Sequence, residues 1–258
     1  MLARALAGAL LSILLAVTAR RMRSLSTSGS WAAAVVGTLA LTAGWGWGII
    51  LFSFFASGSA LSKLGERRKA DLIGSIVEKG GERDAVQVLA NGGVFAAAAL
   101  AHSLFPSPVW MAIGSGALAA SAADTWATEV GTLAGGTPIS IISGKRVPPG
   151  TSGGITFVGT VAAIAGAIFI AVVAAPANWP VPFTAITVGG VAGALADSVL
   201  GATIQTRRWC DLCAESTERL VHRCGTTTRP VGGLAGFDND SVNTVCSAVG
   251  ALVALLLS

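Results

Sequence analysis

Apolar residues run through this chain in long blocks, and polar residues collect between the blocks instead of alternating with them. The blocks near 2–19, 31–44, 46–64, 86–104, 109–134, 154–174, 183–206 and 240–257 predict hydrophobic helices. A helix crosses a bilayer with about 20 apolar residues. The expected fold is therefore all-α: a polytopic integral membrane bundle of seven or eight helices, one domain over 1–258, with loops at about 65–85, 135–153 and 207–239. The first block has Arg4 ahead of it, a basic cluster behind it and no clear small-residue cleavage site, so it reads as a retained helix and not a signal peptide. Only Gly44-Trp45-Gly46-Trp47-Gly48 parts the second block from the third. That break predicts a hairpin, either crossing twice or re-entrant and buried within the protein.

Composition sharpens the class. Of 258 residues, 53% are hydrophobic and 12% charged, against about a quarter charged in soluble domains, and mean hydropathy is +0.71. A soluble Rossmann or barrel enzyme, a disordered chain and a coiled coil are excluded. With 33 glycines and no tyrosine, an aromatic-girdled outer-membrane barrel does not fit either. The net charge of +4 would suggest nucleic acid in a soluble chain. Here basic residues bordering membrane spans have a simpler cause in topology and anionic lipid, and nucleic acid is set aside.

Charge placement then orients the spans. Sixteen of the seventeen basic residues fall after the first block (Arg20, Arg21, Arg23), in the loop after the hairpin (Lys63, Arg67, Arg68, Lys69, Lys79, Arg83), at Lys145 and Arg146, and in the 207–239 loop (Arg207, Arg208, Arg219, Arg223, Arg229). The connections around 103–109 and 175–182 hold none. With both termini outside, every basic loop is cytosolic and only Arg4 lies outside the pattern. The expected location is a multi-pass membrane protein, of the inner or plasma membrane in a bacterium, in contact with membrane lipid.

Carboxylates inside the apolar blocks are costly unless paired, hydrated or near the interface. Asp124 and Glu129 sit in the second half of block 109–134, and Asp197 in the second half of block 183–206, so all three belong to the cytosolic half. Arg83, Asp84, Gln87 and Asn91 enter on one face of block 86–104, and Asp238-Asn239-Asp240 leads into block 240–257, which carries Asn243. Hydrogen bonds between helices would account for a lone Asn or Ser. Three acids and an Asp-Asn-Asp run point further, to a hard divalent cation, Mg²⁺, held by carboxylates together with substrate phosphates.

The loop ending Gly144-Lys145-Arg146-Val147-Pro148-Pro149-Gly150-Thr151-Ser152-Gly153-Gly154 adds glycine backbone, hydroxyls and two cations just ahead of a helix N-terminus, a composition suited to phosphate. Arg146 stands where a P-loop needs Ser or Thr, so this is not one, and a flexible connector is the competing reading. Cys210-x-x-Cys213 with His222-x-Cys224 supplies four soft ligands in one loop, a workable Zn²⁺ set whose alternative is free thiols. Cys246, inside a block, reads as packing.

Taken together, Ala123-Asp124-Thr125-x-x-x-Glu129, the Gly144 to Gly154 loop, Asp197-Ser198-x-x-Gly201-Ala202-x-x-Gln205, Cys210-x-x-Cys213 and Gly236-x-Asp238-Asn239-Asp240-x-Val242-Asn243 resemble the transmembrane protein 19-like family. That family includes the plant and cyanobacterial phytyl-phosphate kinase. The resemblance implies a membrane enzyme that phosphorylates a prenyl monophosphate to the diphosphate. Its donor would be a nucleoside triphosphate, CTP or ATP. On this reading Asp124, Glu129 and Asp197 hold Mg²⁺, with Asp238, Asn239 and Asp240 as further ligands. Lys145, Arg146, Gly150, Thr151, Ser152 and Gly153 meet phosphate, with Arg83, Lys63, Ser198, Gln205, Asn91 and Asn243 as further substrate contacts. Two alternatives stay open: a lipid nucleotidyltransferase, which would use the same acids, and a transporter of small substrates or ions. Oligomeric state is not indicated.

Overall fold

The computed structural model describes residues 2–74, 76 and 81–258; Lys79 lies outside the described residues. Among the described residues eight long helices carry the fold: α1 (Leu2–Arg21), α2 (Thr27–Ala43), α3 (Trp45–Lys63), α5 (Ala85–Leu104), α6 (Pro108–Ala134), α7 (Phe157–Ala174), α8 (Phe183–Thr203) and α9 (Asn239–Leu256). A ninth, α4 (Glu66–Ile73), is short and charged and forms inside the segment expected to be loop. Five of the described helices are long and apolar enough to cross a membrane, namely α3, α5, α7 with its C-terminal turn, α8 and α9. The protein is a polytopic helical membrane protein.

Local signals set the helix starts. Ser26 caps α2 by accepting from Gly29 N at 3.1 Å, so that helix begins before the predicted residue 31. Asp84 and Gln87 form a reciprocal capping box at the head of α5, so two of the polar residues entering on one face of that block serve the helix end. Residues 154–155 are a strand, β2 (Gly154–Ile155), antiparallel to β1 (Ile139–Ser140), and Thr156 caps α7 through Gly159 N. The helix N-terminus predicted for phosphate is therefore occupied by its own cap.

Both ends of the bundle are well marked. At one end the start of α2 meets the start of α5 so closely that a Cβ on Gly29 would stand 2.0 Å from Arg83 O. Lys63 Nζ, closing α3 at the same end, donates to Met22 O at 2.7 Å. At the other end Trp47 packs on Phe95, His102 and Trp179, with ring centroids 5.2, 5.5 and 4.8 Å apart. The 31–64 hairpin therefore runs the height of the bundle twice, turning at Gly44, and is not a shallow dip.

α6 is the axis, flanked by α3, α5, α7, α8 and α9. A helix enclosed by other helices has no need of large lipid-facing side chains, and its stretch from Gly114 to Ala123 is buried and made of Gly, Ala, Ser and one Leu. The segment between α8 and α9 folds into a small antiparallel sheet in the order β4 (Glu215–Thr217), β3 (Arg207–Cys210), β5 (Arg229–Gly232).

Candidate functional site

Asp124 on α6 and Asp197 on α8 face each other closely enough for their carboxyls to interact. Asp197 Oδ2 is buried and has no hydrogen-bond partner among the described residues. Small residues make the meeting feasible: a Cβ on Gly193, one turn before Asp197, would stand 2.4 Å from Ala120 Cβ, one turn before Asp124. α9 closes the third side, its Cys246 O standing 2.7 Å from where a Cβ on Gly193 would lie. Asn243 lies one turn nearer the polar end on that helix, and Asn91 O accepts from Ser121 Oγ at 2.9 Å just below the acids.

A third acid approaches this pair from outside the helices. Glu218, beyond β4, accepts from Gln205 Nε2 at 2.8 Å and from Ser152 Oγ, and its charge acts on Asp197. The 135–153 loop comes this close because Gly153 adopts φ +75°; a Cβ there would collide with Ser198 O at 2.6 Å and Ala202 Cβ at 2.4 Å. Gln205 and Glu218 also line a cavity of about 230 Å³ with Thr206, Arg208, Leu220, Gly236, Asp238 and Asn239.

Several residues predicted for the site stand elsewhere. Five positions along a helix turn a side chain through about 140°, and Glu129 accordingly faces away from Asp124. It pairs with Lys69 Nζ at 2.5 Å and accepts from Ser62 Oγ at 2.5 Å. Lys69 also donates to Leu61 O and Ser62 O, so the ion pair closes the end of α3. Arg83 belongs to this second cluster, directed at Ser59 and Ser62 and over the Phe55 ring at 5.8 Å. Burial pulls its pKa below the usual guanidinium value while Glu129 opposes that. Lys63 is spent on Met22 O. Lys145 and Arg146 are exposed at the tip of their loop, whereas Gly150 packs on Ile73 and Ile76. Thr151 is half-buried beside them. Ser198 Oγ bonds within its own helix to Ala194 O. Asp238 caps α9, its Oδ1 taken by Ser241 N and Oγ, both at 2.9 Å, and Asp240 is buried.

Apart from these, Cys210, Cys213, His222 and Cys224 place one ligand atom each within 4.8 Å of one another. The Cys224 thiol is drawn down to about 6, chiefly by the Thr226 hydroxyl and then the His222 ring. Its neighbour Cys213 is pushed up to about 11, first by its contact with Cys224.

The model of the family described as integral membrane protein DUF92 matches residues 10–251. The chain belongs to that family. It is 31% identical to Protein PGR of Arabidopsis thaliana over 92% of this chain and 90% of that one. An uncharacterized membrane protein of Synechocystis is 31% identical over 76% of this chain and 78% of its own. One of Methanocaldococcus jannaschii is 29% identical over 96% and 92%. No solved structure matches the chain.

Glu218, Lys69 and Ser62 escape a reading of the sequence. Glu218 lies among loop charges with no hydropathy contrast to mark it, and Lys69 reaches Glu129 from 60 positions away.

Proposed function

We propose that the chain is a membrane-embedded, nucleotide-dependent kinase that phosphorylates a prenyl monophosphate to the diphosphate at the cytosolic interface, as its resemblance to the transmembrane protein 19-like family implies. The observation that carries the reading is the half-buried Asp124–Asp197 carboxyl pair, whose Asp197 Oδ2 is itself buried and orphaned, at the basic end of the bundle. Two carboxylates presenting a free oxygen are a donor set that suits Mg²⁺, and such an acid pair with no cation nearby is otherwise costly. A bound Mg²⁺ would neutralise charge on the phosphates. Phosphoryl transfer asks mainly for positioning and charge stabilisation.

The residues divide that work. Asp124 and Asp197 hold the cation. Ser152, Gln205 and Glu218 fix the loop that caps the pair, and Lys145 and Arg146, exposed at the rim, meet an arriving nucleotide. A prenyl monophosphate oxygen is already anionic at neutral pH, so no strong general base is required. Polar groups crowd one end, while the other is closed by Trp47, Phe95 and Trp179; that asymmetry favours an interfacial enzyme over a carrier, whose polar path would continue across.

Purified protein given Mg²⁺, prenyl monophosphate and CTP or ATP should release nucleoside diphosphate and prenyl diphosphate. Asp124→Asn or Asp197→Asn should cut that turnover on the order of a hundredfold or more, with thermal unfolding in detergent unchanged. Near-normal turnover in either variant defeats the assignment. Release of pyrophosphate would reassign the protein as a nucleotidyltransferase.

A further inference from the structure

The 205–235 segment lacks the usual means of holding a fold. Its three strands are four, three and four residues long, and an isolated sheet of this size needs an apolar face. Its aliphatic side chains Leu212, Leu220, Val221 and Val231 are exposed, and Trp209 is only half-buried. What lies inside is Gln205, at the root of the segment, and then Cys210, Thr217, His222 and Thr228. A module whose centre is made of thiol, imidazole and hydroxyl groups is held by something other than hydrophobic burial.

The ligand geometry says what that is. Cys210 Sγ and Cys224 Sγ are 3.6 Å apart, and His222 Nδ1 is 3.3 Å from Cys224 Sγ. Zn–S bonds of 2.3 Å in a tetrahedron put sulfurs about 3.8 Å apart, whereas a disulfide would put them at about 2.05 Å. His222 turns Nδ1 into the cluster and leaves Nε2 buried, 3.5 Å from the Glu215 carboxylate and without a hydrogen bond to it. The ring is further fixed by its own turn, in which His222 N donates to Thr226 O and Gly225 N to His222 O.

We propose that Cys210, Cys213, His222 and Cys224 bind one Zn²⁺, and that this closed structural site folds the loop so that Glu218 is held against Gln205 and Ser152 beside Asp197. The thiols bind as thiolates and release their protons to solvent. Four protein ligands leave no open position, so the metal orders the chain and performs no chemistry. Glu218 lies between Thr217, the last residue of β4, and the ligand His222, and ordering those two neighbours orders it. The positioning of Glu218 rests on the function proposed for the acid pair; occupancy of the metal site does not.

Full-length protein, expressed with added zinc and purified in detergent without chelator, should carry one Zn²⁺ per chain by elemental analysis. Co²⁺ exchanged into the site should give a thiolate-to-metal charge-transfer band. Cys213→Ser and Cys224→Ser should lose the metal and the amide-exchange protection of residues 207–232, while Cys246→Ser and Glu218→Gln keep both. A wild-type stoichiometry below about a tenth, or equal metal in the Cys213→Ser and Cys246→Ser variants, overturns the site. Full zinc in wild type, with residues 215–222 equally protected after chelation, overturns the positioning role and leaves the metal. Loss of kinase turnover in Asp124→Asn with zinc retained separates the two proposals.

Discussion

Glu129 and Asp124 are five residues apart on one helix and have different fates, because each carboxylate is defined by what faces it. Asp124 meets another acid; Glu129 meets the ammonium of Lys69, a lysine only 7% exposed. Removing one member of a buried pair strands the other at a cost of about 3–5 kcal/mol. Glu129→Gln should therefore destabilise the protein by about 3 kcal/mol, and the Lys69→Met, Glu129→Gln double variant should lose less than the two single variants added together. Unfolding in mixed micelles measures this, and strict additivity would mean the pair is not coupled. The costly carboxylates were legible in the sequence as charges inside apolar blocks. Shared depth already groups Asp197 with Asp124 in the sequence, but nothing there pairs Glu129 with Lys69, 60 positions away.

Among the elements, the close approach of α6, α8 and α9 is what brings the acids together. A Cβ on Gly250 would lie 2.5 Å from Ala120 Cβ and 2.6 Å from Gly116 O, and one on Gly189 would lie 2.7 Å from Gly250 O. These glycines are needed for space, all three helices passing near one another at backbone distance. Gly193→Ala and Gly250→Ala should each cost about 1–3 kcal/mol. Gly93→Ala on α5, where nothing lies within 4 Å, should be neutral or gain up to about 1 kcal/mol. A thermal shift of the same size in all three would show that crowding is not the cause. Small residues around Asp197 predict close packing from sequence, yet glycines at contact and glycines facing open space look alike there.

For the whole molecule, the polar layer and the aromatic plug lie at opposite ends, and the basic residues follow the polar layer. Trypsin added to inverted membrane vesicles should cut after exposed Lys145 and Arg146, whereas right-side-out membranes should be spared except near Arg4. Fragment masses report this directly, and cleavage at Lys145 from the outer face would reverse the orientation. Hairpin 31–64 shows the limit of length arguments. Its first arm reads as short, but the Ser26 cap adds a turn and contacts at both ends carry α2 the full height of the bundle beside α5.

Which segments are helices, and which connections gather charge, follows from the sequence, because desolvating backbone and side chains in lipid depends on each residue's own polarity. Which acids share a site depends on helix rotation and on contacts between segments far apart in the chain. Depth along the blocks groups Asp124 with Asp197 from sequence, and only the folded bundle could divert Glu129 to Lys69 and bring in Glu218 from a loop.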